Sequence, residues 1–164
     1  MTFKVTSNSF KDGDYLAKDH ILSADFGFGC AGGNQSPHLK WSGAPAGTKS
    51  FAVTCYDPDA PTGSGFWHWL AINIPADVTE LAVGAGSAGS TMPMGALQTR
   101  TDFGAPGYGG PCPPEGDHPH RYLFTVFAVG GEIRAKADTS AAIVGFQLNF
   151  NTLAKSAIMG LFKR

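Results

Sequence analysis

The sequence predicts a mainly β, loop-rich protein with one helix near its carboxy terminus. Three observations carry that prediction. Glycine (22) and proline (11) are abundant in the 164 residues, which favours many turns over a helical bundle. Three segments are dense in β-branched and aromatic residues and bounded by Gly or Pro. A period of three to four residues occurs only after residue 139.

Taken in order, "FKVTSNSF" near the start is a half-exposed strand candidate. "FAVTCY" (51–56), "FWHWLAINI" (66–74) and "RYLFTVFAV" (121–129) are apolar on both faces. That composition suits central strands of a packed sheet. Residues 84–119 form a long excursion rich in Gly and Pro without helical period. Loops of that length in compact domains carry function or are disordered, and these prolines and aromatics point to a pinned one. Ile143, Phe146, Phe150, Leu153 and Ala157 then recur at helical spacing, with Thr139 or Ser140 as N-cap and Gly160 as stop. We expect that stripe to dock against a sheet.

The length fits one domain over residues 1–164. Hydrophobic residues make up 43%, so the chain folds rather than staying disordered. Charged residues are 15% and the net charge is −1, which leaves no basic stripe for nucleic acid. No stretch approaches the roughly 18 apolar residues of a membrane span, and the first fifteen residues lack the apolar run of a leader. Cys30, Cys55 and Cys112 form an odd set without CxxC spacing. From them we expect no disulfide framework and a reducing, cytoplasmic setting. Asn34-Gln35-Ser36 matches a glycosylation acceptor but carries little weight without an export signal.

Several short motifs weigh less than they first suggest. "GAGSAG" (84–89) matches G-x-G-x-x-G, yet Pro93 spoils the helix that a dinucleotide site needs. "DFG" (102–104) occurs without the other kinase parts. Cys112 with His118 or His120 could form a thiol nucleophile and base, but Cys112 sits between two prolines with no helix to activate it. Asp57, Asp59, His68 and His120 are chemically suited to zinc or iron, at spacings that match no compact metal motif.

The stronger pattern joins "DPDAPTGSGFWHWL" (57–70) to the 120–129 segment. Alternation places Phe66, His68, Leu70 and Ile72 on one strand face, and His120, Tyr122, Phe124 and Val126 on another. Each histidine lies at a strand end beside a Pro/Gly-rich loop. If the two strands are neighbours, both imidazoles and the acidic 57–61 turn open at one end of the sheet. Such a cluster suits a small anion or polar ligand.

These residues also carry a family resemblance. "DPDAP" (57–61) with "WHWLAINIP" (67–75), and "GYGGPCPPEGDHPHRYLFTVFAV" (107–129), match two long motifs in order. Weaker echoes are "NQSPHLKW" (34–41), "PAGTKSFAV" (45–53) and "MPMGALQTRTDFG" (92–104). The chain resembles the phosphatidylethanolamine-binding proteins, also called Raf kinase inhibitor-like proteins, in their short bacterial and archaeal branch. The resemblance implies an antiparallel β-sandwich with a pocket for phosphate-like groups at one end. Carried over by position, the ligand-binding residues are Asp57, Asp59, Pro61, His68, Gly110, Pro113, His120 and Tyr122. Gly109 and Gly110 are expected to offer backbone N–H donors, and Arg121 to brace the loop. The implied function is non-catalytic binding of a small anionic or phosphorylated ligand, with no cofactor or metal. Kinase or protease inhibition through the pocket loops is the alternative, and an Asp–His hydrolase a further one. The tail "GLFKR" has Phe162 where relatives often carry tyrosine.

Overall fold

The computed structural model describes residues 2–164. Its strands are β1 (Lys4–Thr6), β2 (Leu39–Ser42), β3 (Ser50–Asp57), β4 (Phe66–Pro75), β5 (Glu80–Leu81), β6 (Leu97–Gln98), β7 (His120–Val129) and β8 (Thr152–Phe162), and its one α-helix is α1 (Ala141–Asn151). They form two antiparallel sheets, β1-β2-β5 and β6-β4-β3-β7-β8. The three segments read as central strands are β3, β4 and β7, each within a residue or so of the expected bounds. The weak first candidate shortens to β1.

Between the sheets lies a core anchored by Trp41, Phe51, Trp69 and Phe124, all essentially out of solvent. Burying one such aromatic contributes about 1.5–3 kcal/mol. A second cluster on the outer face of the larger sheet joins Ala52, Leu70 and Ile72 to Val144 and Leu148 of α1.

Two details of the larger sheet depart from simple alternation. The histidine strands are not neighbours: β3 runs between β4 and β7, so its last residue, Asp57, sits between them. The β3–β4 register also shifts, with Cys55 opposite Trp69 but Tyr56 opposite Trp67. His68 is thus the extra residue of a bulge, which bends a strand and re-aims a side chain. Phe66 and His68 turn toward the end of the sandwich, while Leu70 and Ile72 face the helix. The expectation that all four share a face is corrected by that bulge. On β7 the alternation holds, with His120, Tyr122, Phe124 and Val126 all buried.

The helix corrects the sequence reading more strongly. Ser140 caps it, accepting from the Ile143 N–H at 3.3 Å. The face that docks, however, is Ala141, Val144 and Leu148. Ile143, Phe146 and Phe150 are 52%, 63% and 71% exposed. Both stripes have helical spacing, so periodicity alone does not choose between them. The helix is tethered along its length, by Gln147 exchanging two 2.7 Å hydrogen bonds with the Arg134 backbone and by the Asn151 carbonyl accepting from the Gly130 N–H at 2.8 Å before the chain runs into β8. Leu153 and Ala157 therefore belong to a strand, and Gly160 continues it rather than stopping a helix.

A disulfide joins Cys30 to Cys112 across 82 residues, against the expectation of reduced cysteines. The odd count misled because the third cysteine, Cys55, is a buried core residue of β3 whose thiol burial pushes up and leaves inert.

Candidate functional site

At the end of the sandwich where β3 stops, Asp57 organises two neighbours at once. One carboxylate oxygen accepts from the Asp59 N–H at 2.8 Å, closing the acidic turn. The other accepts from Nδ1 of His120, also at 2.8 Å. Nε2 of His120 lies 2.9 Å from an oxygen of Asp117, three residues earlier on the same strap. A carboxylate at each nitrogen means both nitrogens donate, so the ring is an imidazolium. Burial works against that proton. The hydrogen bonds to Asp57 and then Asp117 outweigh it and hold the His120 pKa above its ordinary value.

His68 is tuned the other way. Its Nδ1 lies 2.7 Å from the Gly109 carbonyl, which can only accept. Nδ1 therefore carries the hydrogen and Nε2 keeps a lone pair. Burial pulls the pKa below the ordinary value, so this imidazole is neutral. Its ring meets Tyr122 edge-on at 5.2 Å and Phe103 at 5.4 Å. Tyr122 is buried, and that burial, with Asp57 beside it, pushes the phenol well above its usual range.

Asp57, His68, His120 and Tyr122, but not Asp117, line a pocket of about 290 Å³ whose other walls are mostly apolar, including Leu22, Phe28, Phe66, Phe103 and Pro114. Of the residues expected at the site, Asp57, Pro61, His68, Pro113, His120 and Tyr122 line it. Asp59 and Gly110 do not. The Asp59 carboxylate is taken by Arg121, at 2.8 Å from its backbone N–H and 3.0 and 2.9 Å from its guanidinium nitrogens. The guanidinium hydrogen bonds are the main reason its pKa falls to about 2. Arg121 thus ties the acidic turn to β7.

The expected backbone donors are also committed elsewhere. The Gly109 N–H donates to the His68 carbonyl at 3.0 Å, and the Gly110 N–H to Oδ1 of Asn34 at 2.8 Å. Gly110 must be glycine, since a Cβ there would stand 2.2 Å from the His20 carbonyl oxygen. Asn34 gives its amide to the Tyr108 carbonyl as well, which makes it a brace of the loop rather than a glycan acceptor. Cys112 lines the pocket as half of the disulfide, so the thiol-nucleophile reading is corrected. Among the described residues no group of three or more His, Cys, Asp or Glu is placed to hold a metal.

Sequence reasoning missed Asp117 and the wall of Leu22, Phe28 and Phe103. For Asp117 a local signal exists, in that it stands three positions before His120. The wall residues come from distant loops and leave none.

A model of the family described as phosphatidylethanolamine-binding protein matches residues 6–163. The chain is similar to UPF0098 protein YbcL of Escherichia coli, 55% identical over 163 residues, covering 98% of this chain and 87% of that protein. It is also similar to UPF0098 protein YbhB of Escherichia coli, 52% identical over 160 residues, covering 97% and 99%. The crystal structure of E. coli YbcL, described as a new member of the mammalian PEBP family, superposes with a TM-score of 0.95 at 53% identity, covering 100% and 99%. A phosphatidylethanolamine-binding protein from Plasmodium vivax shares the fold, with a TM-score of 0.61 at 19% identity, covering 100% of this chain and 86% of that one.

Proposed function

The chain belongs to the phosphatidylethanolamine-binding protein family, and from that premise we propose that it binds a small phosphate-type anion without transforming it. The observation that supports this most is the Asp117 carboxylate on Nε2 of His120. The ring is fixed from behind by Asp57, and its outward N–H already holds an anion. Asp117 is 36% exposed, on a strap that turns at Gly116 with φ of 86°. An incoming phosphate can take its place by moving that strap. The exchange swaps one anion for another, so it adds little net repulsion. The apolar walls then receive the uncharged body of the ligand.

Several features support binding without chemistry. His120 donates from both nitrogens, so the imidazole lone pair in the pocket belongs to Nε2 of His68, which has neither thiol nor phenolate nucleophile to serve. Cys112 is oxidised, and the buried Tyr122 phenol holds its proton. The disulfide removes the ground for a reducing, cytoplasmic setting, and we propose an oxidising compartment instead. Among the described residues no helix is long and apolar enough to cross a membrane.

Phenyl phosphate, whose ring suits the apolar walls, tests the reading by calorimetric titration near about pH 6.5. The wild type should bind saturably and His120→Ala should lose the heat. Equal binding by a folded His120→Ala protein would place the anion elsewhere and overturn the assignment.

A further inference from the structure

On the other side of Phe103 lies a second cleft of about 460 Å³, larger than the pocket beside His120. Phe103 lines both. This cleft absorbs the "GAGSAG" motif, because residues 86–90 form one of its walls. The loop is pressed flat there: a Cβ on Gly86 would come within 2.5 Å of the Trp69 ring. Ser87 pins it, donating to the Asn34 carbonyl and accepting from the Ser36 N–H, both at 2.9 Å.

The polar groups facing the cleft have a definite character. Gln98 accepts from the Trp69 indole N–H through Oε1 at 2.7 Å. That bond fixes the amide so that its two N–H donors remain for the cleft. Ser90 adds a hydroxyl and Asp25 a carboxylate, one oxygen of which accepts from Ser23, while the Gln35 amide donates to the Gly33 carbonyl at 3.3 Å. No Lys, Arg or His lines the space. Phe26 and Phe103 line it with aromatic rings that meet each other edge-on, centroids 5.2 Å apart.

A space with one carboxylate and no cation repels phosphate, so it does not duplicate the pocket beside His120. The fixed Gln98 donors, the Ser90 hydroxyl and a carboxylate acceptor beside aromatic rings match a ring that carries hydroxyls around its edge and C–H groups on its faces. We propose that this cleft binds a neutral sugar, a mono- or disaccharide, with its hydroxyls on Gln98 and Asp25 and a ring face against Phe103. The assignment stands independently of the anion pocket.

Maltose is the probe, titrated into ¹⁵N-labelled protein. The amide signals of residues 86–90 and 107–109 and the Trp69 indole signal should shift saturably below about 10 mM, an affinity of modest class. Inorganic phosphate should leave the signals of residues 86–90 in place, whereas Gly109, bonded to His68, reports on both pockets. Gln98→Glu is the diagnostic variant, since its carboxylate still accepts from Trp69 but offers no donors. It should weaken maltose binding about tenfold while the unliganded Trp69 indole signal stays near its wild-type position. Asp25→Asn, on the exposed rim, is a second variant that leaves the core untouched and should weaken binding severalfold. The proposal is overturned if maltose gives no saturable shift, if its shifts centre on His120, or if both variants bind it as the wild type does.

Discussion

Replacing Asp117 with Asn should tighten phosphate binding, because the wild-type carboxylate competes for Nε2 of His120. The magnitude follows from the geometry of that contact. The pair is short, at 2.9 Å, but Asp117 is 36% exposed while His120 is 1% exposed. A charge-assisted hydrogen bond contributes about 1.5–3 kcal/mol when desolvated, and an exposed ion pair about 0.2–1 kcal/mol. With one partner facing water, about 1 kcal/mol is the appropriate figure, which corresponds to about fivefold in affinity. Folding stability should fall by a similar amount. The variant should also lower the His120 pKa, since one of the two carboxylates that raise it is gone. The sign of the pH effect follows. The raised pKa of His120 contributes stability fully present below its unfolded value near about 6.5, and that contribution is lost as pH rises through the folded value. In Asp117→Asn that contribution should be smaller and its loss complete at lower pH. Calorimetry with phenyl phosphate at a pH below the His120 titration of both proteins, located by NMR, isolates the competition. The His120 ring signals, followed by NMR across pH, report the titration. Unchanged or weaker phosphate binding, with the fold intact and His120 titrating lower, would refute displacement of Asp117.

The remaining predictions concern the scaffold. Replacing Cys30 and Cys112 together by Ala should cost up to about 4 kcal/mol in urea denaturation, as expected for closing a long loop. The native protein should show no reactive thiol, and one, Cys55, on denaturation; three would remove the bridge from the account. Phe146→Ser and Phe150→Ser should each change stability by no more than about 0.5 kcal/mol, whereas Leu148→Ala should cost about 2–5 kcal/mol. The reverse order would restore the exposed stripe as the docking face.

What the sequence reveals and what it hides divide along physical lines. β3, β4 and β7 were legible because their apolar and β-branched residues are continuous and bounded by turn residues. β8 was not: "TLAKSAIMGLF" mixes small and polar residues, and Leu153 and Ala157 fall in phase with the preceding helix. A bulge inserts one residue without changing residue types, so the break at His68 left no mark in the alternation. Asp57, His68, His120 and Tyr122 were legible as a cluster because strand ends and rigid turns announce themselves locally. The Cys30–Cys112 bridge spans 82 residues and has no local signature. The docked face of α1 goes with tertiary tethers, Gln147 to Arg134 and Asn151 to Gly130, which composition does not encode.

The acidic turn at first looks hostile to an anion, since Asp57 and Asp59 would both repel it. The geometry assigns each carboxylate its own cation. Asp59 is neutralised by the Arg121 guanidinium outside the pocket wall, and Asp57 by the buried His120 ring. Neither then acts as a free negative charge toward the pocket. Asp57 further ensures that His120 stays protonated, a state that burial alone would disfavour. The turn therefore builds a fixed cation at the end of the sheet, and its second carboxylate locks the turn to β7. His68 is held neutral 2.7 Å from the Gly109 carbonyl, so His120 is the one cation of this cluster, and Asp57 and Asp117 share its charge. Under the proposed reading, an incoming anion takes the place of Asp117 on Nε2 and leaves Asp57 as the fixed counter-charge behind the ring.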